Sequence, residues 1–235
     1  MAWFEFISAG AVFLVSHRVP TIPAVRIRLV DIIGERGFLL SYSALSLGML
    51  SWLIIAAGRA PYIEIWPTAP WQYWVPNLIM PVVCVIIAFS IGASNPLSFG
   101  GTHPDTFNPD RPGFAGIMRH GLLWALALWS GTHVVPNGNL AHVILFGGFL
   151  AFSLYGMRII DRRRQRQMGM ERWQRLARAT SLWPFQSLIT RCWRPSVSGI
   201  WTSTLIRLII GVLLYLTLLL VHADIIGVRP LLPHP

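Results

Sequence analysis

Seven histidines are the residues of this 235-residue chain with the clearest capacity for chemistry. Imidazole ligates metals, carries protons near neutrality and presents two distinct ring nitrogens. His103 and His234 lie in polar, proline-bearing segments and are expected to be solvated. His17, His120, His133, His142 and His222 lie in or at the ends of apolar runs. An ionisable side chain inside a membrane is costly and is by default a candidate functional residue. The sequence has no HExxH, CxxC, CxxCH or GxSxG motif. Motif-borne zinc sites, covalent haem and a nucleophile elbow are therefore not expected. Cys84 sits in an apolar run and Cys192 in an Arg-rich one, so the two form no disulfide framework.

The elements that must position these histidines are membrane spans. Hydrophobic residues make up 54% of the chain and charged residues 12%, about half the usual soluble share. Every one of the 19 basic residues is Arg, against 9 acidic residues, for a net charge of +10. This composition excludes disorder, and it argues against a soluble nucleic-acid binder, which would carry its charge on a polar surface. A span needs roughly 20 mainly apolar residues. The hydropathy predicts six, over residues 2–16, 37–57, 72–94, 118–135, 140–160 and 200–221. The fold class is therefore all-α, a polytopic membrane helix bundle of about six transmembrane helices in one domain. The run at 2–16 has no basic n-region, and no small-residue cleavage site precedes His17-Arg18, so it reads as a retained span. Pro76 and Pro81 are expected to kink the third span. Pro136-Asn137-Gly138-Asn139 is a tight turn, making spans four and five an antiparallel hairpin.

Six spans put both termini on one side. With residues 161–199 as an Arg-rich cytoplasmic segment, 17 Arg fall on that side and only Arg59 and Arg229 outside it. This is a positive-inside pattern, with both termini periplasmic in a bacterial inner membrane. Residues 22–33 and 162–179 read as amphipathic segments lying on the membrane. In the second, Trp173 and Leu176 share a face while Arg172, Arg175 and Arg178 point elsewhere. Their expected partners are anionic lipids. Orientation also sorts the histidines by depth. His17 and His120 form an inner pair, and His133, His142 and His222 an outer set. His120 and His133 stand about 20 Å apart at 1.5 Å per helical residue. A transverse haem needs two axial ligands at similar depth.

The order of several segments resembles a known family. His17 is followed by Arg26, Arg28 and Gly34-Glu35-Arg36, and Ser41-Tyr42-Ser43-Ala44-Leu45-Ser46 opens the second span. Arg119-His120 opens the fourth, and Trp129-Ser130-Gly131-Thr132-His133 closes it. Asp161-Arg162-Arg163, Gly169, Trp173 and Thr180-Ser181-Leu182-Trp183-Pro184-Phe185 follow. Together these resemble the NnrU family of bacterial membrane proteins, over about residues 3–230. The resemblance implies a link to denitrification and nitric oxide metabolism. It extends to the plant 15-cis-zeta-carotene isomerase, a membrane protein with haem b, and so implies a haem-dependent redox or isomerase-like reaction. By the same resemblance His17 and His133 are the axial haem ligands, with Arg119 and His120 beside the cofactor. Ser130 stands where the isomerase has a Cys, and Gly121 where it has a Pro.

The depth layers place His17 and His133 at opposite faces, so His17 with His120 is the geometric alternative. Two further readings stay open. One is a membrane methyltransferase using S-adenosylmethionine, suggested by the Arg-His span opening. The lone Glu171 stands where such enzymes carry paired glutamates. The other is a non-catalytic accessory protein for a membrane redox partner such as a reductase. No catalytic group is assigned.

Overall fold

In a computed structural model of the chain, residues 1–100, 107–190 and 201–231 are described. His103, Cys192, Arg191, Arg194, Trp193 and His234 lie outside them. The described residues are helical with no strand. They comprise α1 (Ala2–Arg18), α2 (Pro23–Arg59), α3 (Trp74–Ser90), the single turn α4 (Phe114–Ile117), α5 (Gly121–Val134), α6 (Leu140–Met168), α7 (Met170–Arg178), the single turn α8 (Gln186–Ile189) and α9 (Trp201–Ile226). Contacts divide the chain into two units, one of residues 1–67 and 138–145, the other of residues 68–137 and 146–235.

In the first unit α1 packs antiparallel on α2. Phe6, Ala9 and Phe13 are buried on one side, and Phe38, Leu53, Ala56 and Ala57 on the other. The ends of the pair are marked by polar contacts. Glu5 meets Arg59 at 3.4 Å at one end, and the Tyr42 hydroxyl donates to the His17 carbonyl at 3.2 Å at the other. Glu5, the acid inside the first apolar run, thus lies beside a guanidinium. Gly34, at φ 73° and ψ 165°, breaks α2 internally. That left-handed geometry suits glycine. It separates the Arg-bearing stretch around Arg26 and Arg28 from the apolar span that follows.

In the second unit α5 runs antiparallel to both α3 and α6. Along α5, Arg119, Leu123, Trp129 and His133 meet Asp161, Gly156, Phe149 and Phe146 in reverse order. Gly121, at the start of α5, lies against Ser90, at the end of α3. The hairpin expected at Pro136-Asn137-Gly138-Asn139 is therefore present. α9 packs antiparallel on α3. Arg207 reaches from its start to the carbonyls of Ala88 and Ile91, and the Asn77 amide donates to the Pro230 carbonyl at 2.6 Å. The guanidinium at the end of α3 complements the negative end of that helix dipole. Val83 and Ile86 of α3, Met118 and Ala125 form the buried core. The Cys84 thiol is buried in the same helix.

Four helical stretches are long and apolar enough to cross a membrane, Pro23–Arg59, Pro70–Ser90, Leu140–Met168 and Ser203–Ile226. The other two expected spans are helical but shorter. α1 has 17 residues and α5 has 14, about 25 and 21 Å at 1.5 Å per residue. Because α3 and α6 run parallel to each other, α5 carries the chain back between them despite its length. It is short because the backbone leaves the helix at residues 118–120, for the reason given below.

The segment at 162–179 differs from its expected form. It is not one surface helix: α6 continues to Met168, Gly169 turns the chain at φ 82°, and α7 follows. Leu176 and Ala177 are buried and Trp173 is half-buried, while Arg172, Arg175 and Arg178 are exposed, as the pattern requires. The apolar face packs against Leu97, Phe107 and Met168 of the protein itself. A helix that finds an apolar partner in its own chain has no need to place that face in lipid.

Candidate functional site

A buried polar cluster occupies the end of the second unit where α3 stops and α5 starts. Met118 is extended (φ −154°, ψ 105°) and His120 is non-helical (φ −109°, ψ 57°). Arg119 is 6% exposed and His120 0%. A buried backbone needs partners outside a helix, and here the Arg119 N–H donates to the Ser181 carbonyl at 2.7 Å. The Arg119 carbonyl accepts from the Asn95 amide at 2.7 Å.

The Arg119 guanidinium is engaged at every nitrogen. Nε donates to Thr180 Oγ1 at 2.8 Å, Nη1 to Asp161 Oδ2 at 2.8 Å, and Nη2 to the Ala177 carbonyl at 3.0 Å. Its Cζ stands 5.3 Å from the centroid of the Trp173 ring, in cation–π range. Asp161, 8% exposed, places its other oxygen 3.2 Å from Nε2 of His120. On the opposite edge of that ring, Nδ1 lies 3.0 Å from Ser98 Oγ. A carboxylate only accepts, so Nε2 carries the proton, and Nδ1 accepts from the Ser98 hydroxyl.

The cluster gathers segments that are remote in sequence. Ser181 bonds the carbonyls of Ala115 and Gly116, the Phe185 N–H that of Ile117, and Trp124 Nε1 donates to the Leu182 carbonyl. The Arg119-His120, Asp161, Trp173 and 180–185 segments are thus stitched into one body. In the sequence Asp161 and Thr180 stand only as parts of the segments that carry the family resemblance, and Ser98 is not singled out. Asp161 reads there as one charge in an Arg-rich run, and only the side chain it meets distinguishes it. Arg119 changes meaning too: it was counted as an orientation charge and is the centre of a buried ion pair.

His133 sits elsewhere in the same unit, on the last turn of α5. Its ring lies among Trp129 and Phe146, at centroid distances of 5.5 and 5.4 Å. Nδ1 donates to the Trp129 carbonyl at 2.7 Å. That bond fixes the proton on Nδ1 and leaves a lone pair on Nε2, the arrangement metal-ligating histidines adopt. The ligand chemistry at His133 therefore fits a haem iron. At His120 it does not fit as the ring stands, because a metal would have to displace Ser98 or Asp161. His222 donates from Nδ1 to the Val228 carbonyl at 2.8 Å. His17 belongs to the first unit, half-buried between Phe13 and Tyr42, with ring centroids 4.4 and 5.8 Å away. Its Nδ1 makes no well-formed hydrogen bond among the described residues. His142 is also in that unit and is partly buried. Among the described residues no three His, Cys, Asp or Glu side chains gather around a common point.

Helices of this length and composition, with apolar side chains such as Leu205, Ile209 and Leu213 turned outward, define a multi-pass helical membrane protein. The chain belongs to the NnrU family, described as NnrU protein, whose sequence model matches residues 5–230. No curated protein and no solved structure matches the chain.

Proposed function

We propose that this NnrU-family protein binds haem b through His133 and serves a redox, isomerase-like or nitric oxide reaction of denitrification. The observation that carries the reading is the tautomer of His133, with Nδ1 tied to the Trp129 carbonyl and Nε2 left as a ligand atom among aromatic rings. When bound, haem supplies one-electron exchange and a coordination site for small ligands. What the chain contributes is a ring held in one orientation and an apolar surround that limits water. His17, the other ligand implied by the resemblance, is tested by its own substitution. The detergent-purified protein is expected to show a Soret band and a pyridine haemochrome spectrum near one haem per chain. His133→Ala should abolish the band. Protein that binds no haem on reconstitution, or an unchanged spectrum in His133→Ala, overturns the reading.

The same proposal places the protein in the bacterial inner membrane with both termini periplasmic. It rests on the Arg distribution. Reporter fusions at Asn137 and Arg166 should report opposite sides, and the same side for both counts against it. The exposed Arg172, Arg175 and Arg178 form no ion pair among the described residues and face outward on α7. They are the proposed contact for anionic headgroups, each worth about 1 kcal/mol near a charged surface. Replacing all three with Gln should abolish the thermal stabilisation given by phosphatidylglycerol. Equal stabilisation of the variant would remove this role.

A further inference from the structure

We infer that Ser98 is an activated nucleophile, with His120 as its base and Asp161 as the group that orients the base. The inference is independent of haem. It stands on a hydrogen-bonded chain of three groups: Ser98 Oγ to His120 Nδ1 at 3.0 Å, then His120 Nε2 to Asp161 Oδ1 at 3.2 Å. A hydroxyl is a weak nucleophile until an adjacent base takes its proton, and that base works best when a third group fixes its tautomer. Asp161 does this through Nε2–H. Arg119 in turn holds the carboxylate through its second oxygen at 2.8 Å. The relay is that of a serine, histidine and aspartate hydrolase with the two ring nitrogens exchanged, and such constellations are recognised by geometry and role. The position of Ser98 in the chain gives no sign of it, since no GxSxG surrounds it.

Ser98 also faces space. It lines a small cleft, with room for about one water, together with Phe99, Phe114, Met118 and Leu122. Phe99 is half exposed at the surface. Polar Ser90, Asn95 and Arg119 share that lining, and the substrate class that fits an activated hydroxyl there is a carboxylic ester. In the first step Ser98 Oγ bonds to the carbonyl carbon and the ester C–O bond breaks. The Ser98 proton passes to His120 Nδ1 and then to the departing alcohol oxygen. Water then attacks the acyl-serine, its proton returns through His120 to Ser98 Oγ, and the carboxylic acid leaves.

The test is a fluorophosphonate with a long alkyl chain, applied to the full chain in detergent and read by peptide mass spectrometry. Phosphonylation forms a Ser98 Oγ–P bond and expels fluoride. The adduct is expected at Ser98, lost in Ser98→Ala, and at least tenfold slower in His120→Gln. The charged groups facing this ring and serine are Asp161, Arg119 and Arg164, whose Nη2 approaches the Ser98 carbonyl at 3.4 Å. The wild-type measurement keeps the inference testable if His120→Gln does not fold. A folded wild-type protein with no adduct at Ser98 overturns it.

Discussion

Arg119→Met is expected to destabilise the folded protein by about 3–5 kcal/mol, the range for removing one partner of a buried ion pair. The size follows from what stays behind. Asp161 would keep its charge in a site that is 8% exposed, with only the His120 N–H as a donor to it. Thr180 Oγ1 and the Ala177 carbonyl would lose their charged donor, and Trp173 its cation. Methionine fills the stem volume but supplies none of these contacts. The measurement is thermal unfolding in detergent, where a fall in Tm of roughly 10 °C is expected. Asp161→Asn should be similarly harmful by leaving the guanidinium unpaired. The double variant Arg119→Met with Asp161→Asn should lose less than the sum of the two, because the groups are coupled. A Tm for Arg119→Met within two degrees of the parent, on a scale of roughly 2–4 °C per kcal/mol, would show that the pair is not a keystone of this unit.

The second large effect is at Gly211. A Cβ there would stand 2.8 Å from Val85 Cα and 3.1 Å from Val85 N, both backbone atoms of α3. Backbone cannot rotate aside, so α9 and α3 would have to part. Small residues at membrane helix contacts serve this close approach, since lipid gives no hydrophobic push between helices. Gly211→Ala is expected to cost about 1–3 kcal/mol by overpacking, and Gly211→Leu more. The same displacement would pull Arg207 from the carbonyls of Ala88 and Ile91, one turn earlier on α9. Thermal unfolding reads the loss. A Gly211→Ala protein as stable as the parent would mean the helices do not approach so closely.

Both effects sit where local sequence is silent, and the reason is range. Apolar runs and the Pro136-Asn137-Gly138-Asn139 turn are local signals, and they yielded the helices and the hairpin. The alternation in 170–178 likewise told which side chains of α7 point outward. It could not say what meets the other face, which packs on Leu97 and Phe107.

Taken alone, then, the residues of this chain determined an all-helical, multi-pass membrane protein of the NnrU family. Tertiary packing decided which charges are buried and which histidines keep a lone pair. Arg119 and Asp161 are separated by 42 positions. No periodicity couples them until α5 turns back along α6. His120 and His133 look alike in a hydropathy profile, both at span ends. The partners at each ring nitrogen separate them, with Ser98 and Asp161 on one and the Trp129 carbonyl on the other. Hydrophobicity is additive along a chain and so can be read from it. A hydrogen bond needs two particular atoms within about 3 Å, and only the folded chain puts them there.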